Sequence, residues 1–502
     1  MLTKRTLSFH NFKLDNLKAA LAGIKTFFLL TIFLSLIFSN NSCIKYQPRL
    51  LSPEKNLNTL EERRLDSPEL ANFLQVNKEV SSWPPLTWDL KSLTLVAFYY
   101  NPELDIARAK WAVAKAGQIT AGEIPNPVLN PKLGYNSTTP ISLMPPWIPE
   151  VALDIPVEVA KKRGLRLIEA RQLAQASRWN LLSAAWSVRY ELRQALVELY
   201  AASSRKKILQ EKLQLLDELE KLSEIKKESG EISGYELSQV KAALNFTKLE
   251  AIEAVRAHQE ARSRLASVVG VPVKALEGIS ISFDELEKFN FEIPPAEVRR
   301  RVLTRRTDIL SALSEYAASE AALRLEIAKQ YPDLHFGPTY QLDQTDNKWT
   351  IGIALELPIF GHNRGPIAEA EARRQEKAAE FLSLQSKVLT DLEVAIQECQ
   401  AAQEKVQAAE RLLDNLRNQK EMAENQWRLG EISRPDLLTI ELELQNTALL
   451  RLESLIEAQR ALSHLENILQ SPLEVKDWIF TLNRPSDDLT SKKGNNHEKK
   501  AK

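Results

Sequence analysis

The sequence predicts a mainly α-helical fold with a small β part, built from two long helical hairpins in tandem. Two runs of more than sixty residues, from Leu165 to Ser229 and from Ile367 to Leu429, contain no Gly or Pro and are rich in strong helix formers. Each run is followed by the tetrapeptide Gly-Glu-Ile-Ser, and the two copies lie 200 positions apart. Two further stretches alternate apolar with small or polar residues at a period of two, as half-buried strands do.

The composition excludes several classes of function. A chain of 502 residues with 44% apolar and 26% charged residues is typical of a folded protein, and its zero formal net charge argues against a nucleic-acid-binding surface. Cys43 and Cys399 are the only cysteines, and the six His are scattered, so we expect no disulfide framework and no metal cluster. Since no Ser-His-Asp set or phosphate loop is visible, we expect no cofactor and no enzymatic activity.

Residues 1–42 have the pattern of a secretory signal peptide. Basic residues are followed by an apolar run from Phe27 to Phe38, which is short for a membrane span, and then by small polar residues. The mature protein is therefore expected to leave the cytoplasm. Cys43 directly after Ser42 resembles a bacterial lipoprotein cleavage site, at which the Cys is acylated. The alternative is an unmodified Cys close to an ordinary signal cleavage site.

The segment after the signal differs from the helical part. Residues 43–85 are rich in Pro and charge without clear periodicity, so we expect an extended N-terminal segment. A helix begins at Leu90, breaks near Asn101-Pro102 and continues to about Gly122. The break is expected there because Pro fits the first turn of a new helix and not the interior of an existing one.

Four strands are predicted in two hairpins. The first pair covers residues 127–138 and 150–158, with a Pro-rich loop between them that includes Trp147. The second pair has an outgoing strand with Leu334, Phe336, Tyr340 and Leu342 and a returning strand with Trp349, Ile351, Ile353 and Leu355. Each strand has about ten residues, enough to cross a bilayer when tilted. A soluble sandwich would show the same alternation, but the secretion signal and the large helical part favour a membrane. Two hairpins cannot close a barrel alone, so several chains must pool their strands.

The two halves of the chain form an internal duplication. Asn101-Pro-Glu-Leu104 corresponds to Arg306-Thr-Asp-Ile309 at a shift of 205, and Ala152–Pro156 corresponds to Ala354–Pro358 at a shift of 202. Such ordered shifts with small drifts indicate repeats, here residues 86–280 and 290–475. At 1.5 Å per residue each long helix reaches roughly 90–100 Å, so the hairpins must pack side by side. Residues 484–502 are polar and are expected to be disordered.

The duplicated order resembles the TolC family of outer-membrane efflux proteins. The residues most similar to the family are Asn101-Pro-Glu-Leu104, Leu357-Pro-Ile-Phe-Gly361, Leu265–Pro272 and the two tip motifs, with Tyr46-Gln-Pro48 resembling the start of lipidated members. The resemblance implies a homotrimer in which each chain gives four strands to a twelve-stranded β-barrel in outer-membrane lipid. It also implies that the long helices form a tunnel across the periplasm.

The implied function is a passive exit duct of a tripartite efflux or secretion system. A periplasmic adaptor (membrane fusion protein) would join the duct to an inner-membrane pump that supplies the energy. The alternative is a periplasmic coiled-coil adaptor or structural scaffold, which would have one helical hairpin flanked by small β modules instead of two hairpins and two strand pairs. The substrate stays open among metal ions, drugs and proteins.

The resemblance also implies three sets of site residues. The adaptor would contact the tips, which are Gly230, Glu231, Ile232, Ser233, Gly430, Glu431, Ile432 and Ser433; the two Glu stand where the family motif has Leu. Glu236 and Asp436 would line the narrowed pore entrance, the alternative being a solvated outer face. Trp349, Ile351, Ile353 and Leu355 would meet lipid, with Thr350, Gly352 and Ala354 facing the lumen.

Overall fold

The computed structural model describes residues 46–76, 83, 85–138, 146–294, 296–343 and 345–471. The chain divides into two compact units, Met1–Thr59 and Leu60–Lys502. The signal peptide at 1–42, the acylation site at Cys43 and the tail at 484–502 lie outside the described residues, so their predictions stay untested.

Two short helices replace part of the predicted extended segment. Helix α1 covers Pro53–Glu61 and α2 covers Pro68–Val76, so the prediction is wrong for these residues. Each helix begins at the Pro of a Ser-Pro-Glu sequence, in which the Ser can cap the helix and the Pro fits its first turn. The Ser67 hydroxyl accepts a hydrogen bond from the backbone N–H of Leu70 at 3.3 Å. Leu70, Phe73 and Leu74 of α2 are buried in the main hydrophobic cluster.

The described part of the first repeat contains four α-helices and two strands. They are α3 (Leu90–Tyr100), α4 (Pro102–Ala121), β1 (Val128–Tyr135), β2 (Trp147–Val157), α5 (Lys162–Glu228) and α6 (Gly234–Val269). The predicted break before Pro102 is confirmed, because the Asn101 side chain accepts from the backbone N–H of Glu103 at 2.9 Å and caps α4. Strand β2 begins at Trp147, which the sequence assigned to the loop. The Trp147 ring packs on that of Tyr135 at 5.0 Å, which extends the hairpin.

The second repeat has the same order of elements, as the duplication predicted. It consists of α7 (Ala296–Arg305), α8 (Thr307–Ala328), β3 (Leu334–Asp343), β4 (Asp346–Leu355), α9 (Arg364–Leu429) and α10 (Arg434–Leu469). The four longest helices pack in the order α6, α5, α10, α9, so that α5 and α10 join the two repeats. No helix in the described ranges combines the length and the apolar composition that crossing a membrane requires.

The four strands form one antiparallel sheet in the order β1-β2-β3-β4. Strand β2 of the first repeat pairs with β3 of the second, with Val151 opposite Tyr340 and Val157 opposite Leu334. The two hairpins are therefore continuous, and β1 and β4 are the edges of the sheet. Within the described chain each edge strand has a partner on one side only.

Candidate functional site

One face of the sheet is apolar across all four strands. Directly opposite residues in an antiparallel sheet project to the same face. The observed register places Pro131, Val151, Tyr340 and Trp349 in one row across the sheet. The predicted residues Ile351, Ile353 and Leu355 follow Trp349 at every second position of β4. Trp349 and Ile351 are 78% and 82% exposed, so no second layer of described residues covers this face as it would in a sandwich.

The opposite face of the sheet is mainly polar or small, with Val128 and Ile148 as apolar exceptions. Asn130, Ala152, Thr339 and Thr350 form a row on this face. In neighbouring rows the Lys132 ammonium lies 3.3 Å from a carboxylate oxygen of Glu150, and His335 Nδ1 lies 3.0 Å from a carboxylate oxygen of Asp154. His335 and Asp154 belong to different repeats and lie 181 positions apart in the sequence, so local sequence could not predict their contact.

Aromatic rings gather at one end of the apolar face. The rings of Tyr135 and Trp147 lie 5.0 Å apart, and those of Tyr340 and Trp349 lie 4.7 Å apart. Each pair lies toward the turn end of its hairpin, and the two pairs occupy equivalent positions in the two repeats. Aromatic girdles that flank an apolar band are typical of strands in outer-membrane barrels.

The two predicted tips are tight turns between long helices. Gly230 and Gly430 have φ of 77° and 79°, a conformation that favours Gly. The next backbone N–H, of Glu231 or Glu431, donates back to the carbonyl of Lys226 at 2.8 Å or of Gln426 at 2.9 Å. This hydrogen bond from the residue after the Gly closes the helix end in the Schellman manner. Both Glu side chains are exposed.

The residues Glu236 and Asp436 have a local structural role that the sequence reasoning missed. Each lies three positions after the Ser of a tip, and the pair forms a capping box. Ser233 N donates to Glu236 Oε2 at 2.8 Å, and Ser433 N and Oγ donate to Asp436 Oδ2 at 3.0 and 2.6 Å. Both carboxylates are exposed. The Ser433 hydrogen bonds lower the pKa of Asp436, with a smaller contribution from the charge of Lys226 near the first tip.

An ion pair joins the two hairpins near the tips. The Arg434 guanidinium donates to both carboxylate oxygens of Glu218 at 2.7 and 2.9 Å and lies 3.6 Å from Glu441. The guanidinium also lies over the Trp427 ring, 5.4 Å from its centroid. The hydrogen bonds from Arg434 lower the pKa of the Glu218 carboxyl. No pattern in the sequence identifies this partner, which is 216 positions away.

The described residues hold no group of three or more His, Cys, Asp or Glu side chains arranged to bind a metal ion. Cys399 is buried in α9, and burial raises the pKa of its thiol to about 12.

Comparison with known proteins assigns the family. Residues 298–469, which include most of the second repeat, match the family model described as "Outer membrane efflux protein". The chain is therefore similar to the outer membrane efflux protein family over its second repeat. It is an outer-membrane channel of an efflux system, with its helices forming the periplasmic tunnel. Channels of this efflux family work with adaptor and pump partners.

Individual relatives of this efflux protein are distant in sequence. The cobalt-zinc-cadmium resistance protein CzcC of Cupriavidus metallidurans is 22% identical over 60% of this chain and 69% of its own length. The pyoverdine export outer membrane protein OpmQ of Pseudomonas aeruginosa is 23% identical over 55% of this chain and 62% of its own length. The crystal structure of the outer membrane protein VceC of Vibrio cholerae has a TM-score of 0.62 at 21% identity, covering 76% of this chain and 96% of VceC.

Proposed function

We propose that three copies of this efflux protein form one exit duct, with four strands from each copy in a twelve-stranded barrel. The observation that carries the proposal is the sheet, which has one continuous apolar face, one mainly polar face and two edges that each lack a second partner among the described residues. A lipid-exposed edge leaves backbone groups without hydrogen bonds, so membrane strands must close into a barrel. If copies of the same chain close the barrel, each edge strand gains a second hydrogen-bonded partner.

The helical part supports the same assembly. Helices α6 and α9 are the outer members of the packed order, and both carry exposed apolar side chains. Phe246, Leu249 and Ile252 follow one another on α6 at helical spacing, and Leu382 is exposed on α9. Contact between α6 of one copy and α9 of the next would bury these side chains. A heat-resistant trimer in detergent extracts of the outer membrane is expected, whereas a chain found only in the soluble periplasmic fraction would favour the adaptor or scaffold.

The apolar face of the sheet is assigned to lipid and the polar face to the lumen. An Arg at the bilayer midplane costs about 2–4 kcal/mol on the lipid face of such barrels. Ile351→Arg or Ile353→Arg should therefore reduce the yield of assembled trimer sharply. The matched control is Thr350→Arg, on the same strand and on the opposite face, which should assemble close to normally. The yield is measured by heat-modifiable mobility in detergent gels, and equal loss at both faces would contradict the assignment.

The tips are assigned to the adaptor and the N-terminus to a lipid anchor. The four residues of each tip project beyond the long helices in two nearly identical turns, so a repeated partner can dock on both. Cys43 is proposed to be acylated, since several acyl chains at about 0.8 kcal/mol per buried CH₂ would hold the N-terminus in the membrane.

Asp436 and Glu236 are assigned to the pore entrance. Three-fold symmetry would place three copies of each carboxylate around one axis, and such rings attract cations. Asp436→Asn and Glu236→Gln should each reduce cation preference, and the double variant should reduce it most. Reversal potentials in a salt gradient across planar bilayers measure the change.

The capping box provides the control for this experiment. Ser433→Ala removes the hydroxyl that bonds Asp436 but keeps the carboxylate charge. It should weaken the helix start while leaving ion preference unchanged. If the double carboxylate variant conducts with wild-type selectivity, both carboxylates lie on the outer face of the tunnel.

The substrate is proposed to be chosen upstream of this duct. CzcC and OpmQ are named for unlike substrates, metal ions and pyoverdine, although both are similar to this chain. A wide water-filled passage would account for such tolerance. Identifying the pump that co-purifies with this chain would assign the substrate.

A further inference from the structure

The two hairpins of the sheet are related by the internal duplication down to the individual residue pair. Adding 205 positions takes β1 to β3, and adding 202 takes β2 to β4. The pair Leu129 opposite Leu153 then becomes Leu334 opposite Leu355, which is observed. The pair Tyr135 opposite Trp147 becomes Tyr340 opposite Trp349, which is also observed. The shifts found in the sequence therefore hold in the hydrogen-bonded sheet.

Strand β4 ends earlier than its equivalent β2. Strand β2 has partners on both sides, and its last residues, Ile155 to Val157, pair with β3 alone. Their equivalents in the second repeat, residues 357–359, have no such partner in the described chain and are not in strand conformation. The difference follows from the missing neighbour.

The side chains after β4 are unusually exposed for their type. Leu357, Ile359 and Phe360 are 64%, 62% and 100% exposed. In the first repeat the residue equivalent to Phe360 is Glu158, a polar residue that accepts a hydrogen bond from Arg166 at 3.0 Å. The apolar replacement at an unpaired sheet edge points to a surface that another chain covers.

We propose that β4 of one copy, extended through Ile359, pairs antiparallel with β1 of a second copy in the register that the duplication dictates. This inference rests on the proposed trimer and adds the register of its seam. The observed pair of Val157 with Leu334 gives Ile359 opposite Leu129 of the next copy, and the pair of Ile155 with Phe336 gives Leu357 opposite Pro131. The same rule places Leu355 opposite Leu133.

The chemistry of both faces agrees with this register. Leu133 and Leu129 are exposed and lie on the apolar face of β1, so the seam continues that face. On the polar face Glu356 falls opposite Lys132 of the next copy, and opposite charges across a strand pair are favourable. A slip by one residue would bring the apolar side chains of β4 to the polar face. A slip by two would place Glu356 opposite Asn130 or Gly134 and remove the charge pair.

The same register also gives Phe360 an apolar neighbour. It falls opposite Val128 of the next copy, an exposed apolar residue at the start of β1. At the equivalent junction within the chain, Glu158 and Asp333 flank the last strand pair, Val157 with Leu334, and Asp333 accepts from the backbone N–H of Val159 at 3.1 Å and from Lys162 Nζ at 2.8 Å. The junction within one chain is thus polar, whereas the junction between copies is apolar.

Cysteine cross-linking in outer-membrane vesicles tests the register. Leu355→Cys and Leu133→Cys are introduced together in the full chain and oxidised with copper phenanthroline. Within one chain these positions lie on opposite edges, about 14 Å apart across the sheet at 4.7–4.9 Å per strand. The register also places Leu133 in a row with Asn347, so Leu355 lies eight residues further along β4, beyond the reach of a disulfide. A reducible ladder of dimer and trimer on denaturing gels is expected. Each single variant is the control for the native cysteines and should give no ladder.

The pair Leu355→Cys with Pro131→Cys tests a slip of two residues on the same face. Its Cβ atoms would lie about 7–8 Å apart in the proposed register, too far for efficient cross-linking. A stronger ladder from this pair would overturn the register. An intact trimer with no ladder from either pair would overturn the β4–β1 seam and leave the proposed duct standing. A protein that is monomeric by light scattering would overturn the trimer and the seam together.

Discussion

Glu466→Ala is expected to lower the free energy of unfolding by about 3–5 kcal/mol, because removing one member of a buried ion pair is strongly destabilising. The Glu466 carboxylate accepts hydrogen bonds from Arg189 at 2.9 Å and from Arg193 at 2.8 Å. The side chains of Arg189, Arg193 and Glu466 are only 6%, 2% and 1% exposed. Removing the carboxylate leaves two guanidinium groups in the packed seam between α5 and α10. Unfolding in guanidinium chloride, followed by far-UV circular dichroism, measures the change in this free energy.

Glu453 provides the matched control on the same helix. It pairs with Arg205 at 3.4 Å across the same two helices, but its side chain is 62% exposed. Exposed pairs of this kind contribute about 0.2–1 kcal/mol, so Glu453→Ala should have a small effect. Replacing Arg189, Arg193 and Glu466 together by Met should recover much of the lost stability, because no buried charge would remain. Equal effects of Glu466→Ala and Glu453→Ala would show that the buried cluster is not a special stabilising element.

Gly270→Ala is expected to lower the free energy of unfolding almost as much as Glu466→Ala does. Gly270 ends α6 at φ of 84°, and a Cβ there would lie 2.6 Å from the carbonyl oxygen of Tyr100 and 3.1 Å from Asn101 N. The left-handed backbone costs an Ala about 1–2 kcal/mol, and overpacking adds about 1–3 kcal/mol. The clash also falls on the Asn101 junction, whose side chain donates to the carbonyl of Val268 at 2.8 Å.

Gly230→Ala separates the two costs. Gly230 has nearly the same φ, 77°, but a Cβ there meets no atom within 4 Å. Only the backbone cost of about 1–2 kcal/mol is expected at this tip. Thermal unfolding of the two variants side by side gives the comparison. Similar losses at both positions would mean that the junction around Tyr100 relaxes to accommodate a methyl group.

Elements with strong local signals could be predicted from the sequence. The break before Pro102, the turns at Gly230 and Gly430 and the order of strands and helices in both repeats are confirmed. In each case the decisive interaction lies within a few residues, such as a cap, a turn or a period of side chains. The helices at 53–61 and 68–76 differ from the expected extended segment because the Ser-Pro-Glu at each start is a local helix signal that outweighs the Pro- and charge-rich composition.

Other features depend on residues far apart in the chain. Glu466 is one of several charged residues on α10, and its burial against Arg189 and Arg193 appears only when α5 packs beside it. The pairing of Arg434 with Glu218 has the same origin. The capping boxes of Glu236 and Asp436 are local by contrast, because each carboxylate lies three residues after the Ser that begins its helix.

By itself the sequence determined the order of helices and strands in both halves and the turns at Gly230 and Gly430, because backbone geometry and helix caps are set by neighbours along the chain. Only the tertiary structure decided that β2 pairs with β3, that one face of the sheet is apolar across both repeats, and that α5 and α10 enclose a buried ion cluster. Burial and strand register depend on which surfaces meet, and that outcome is settled by packing between segments that lie hundreds of positions apart.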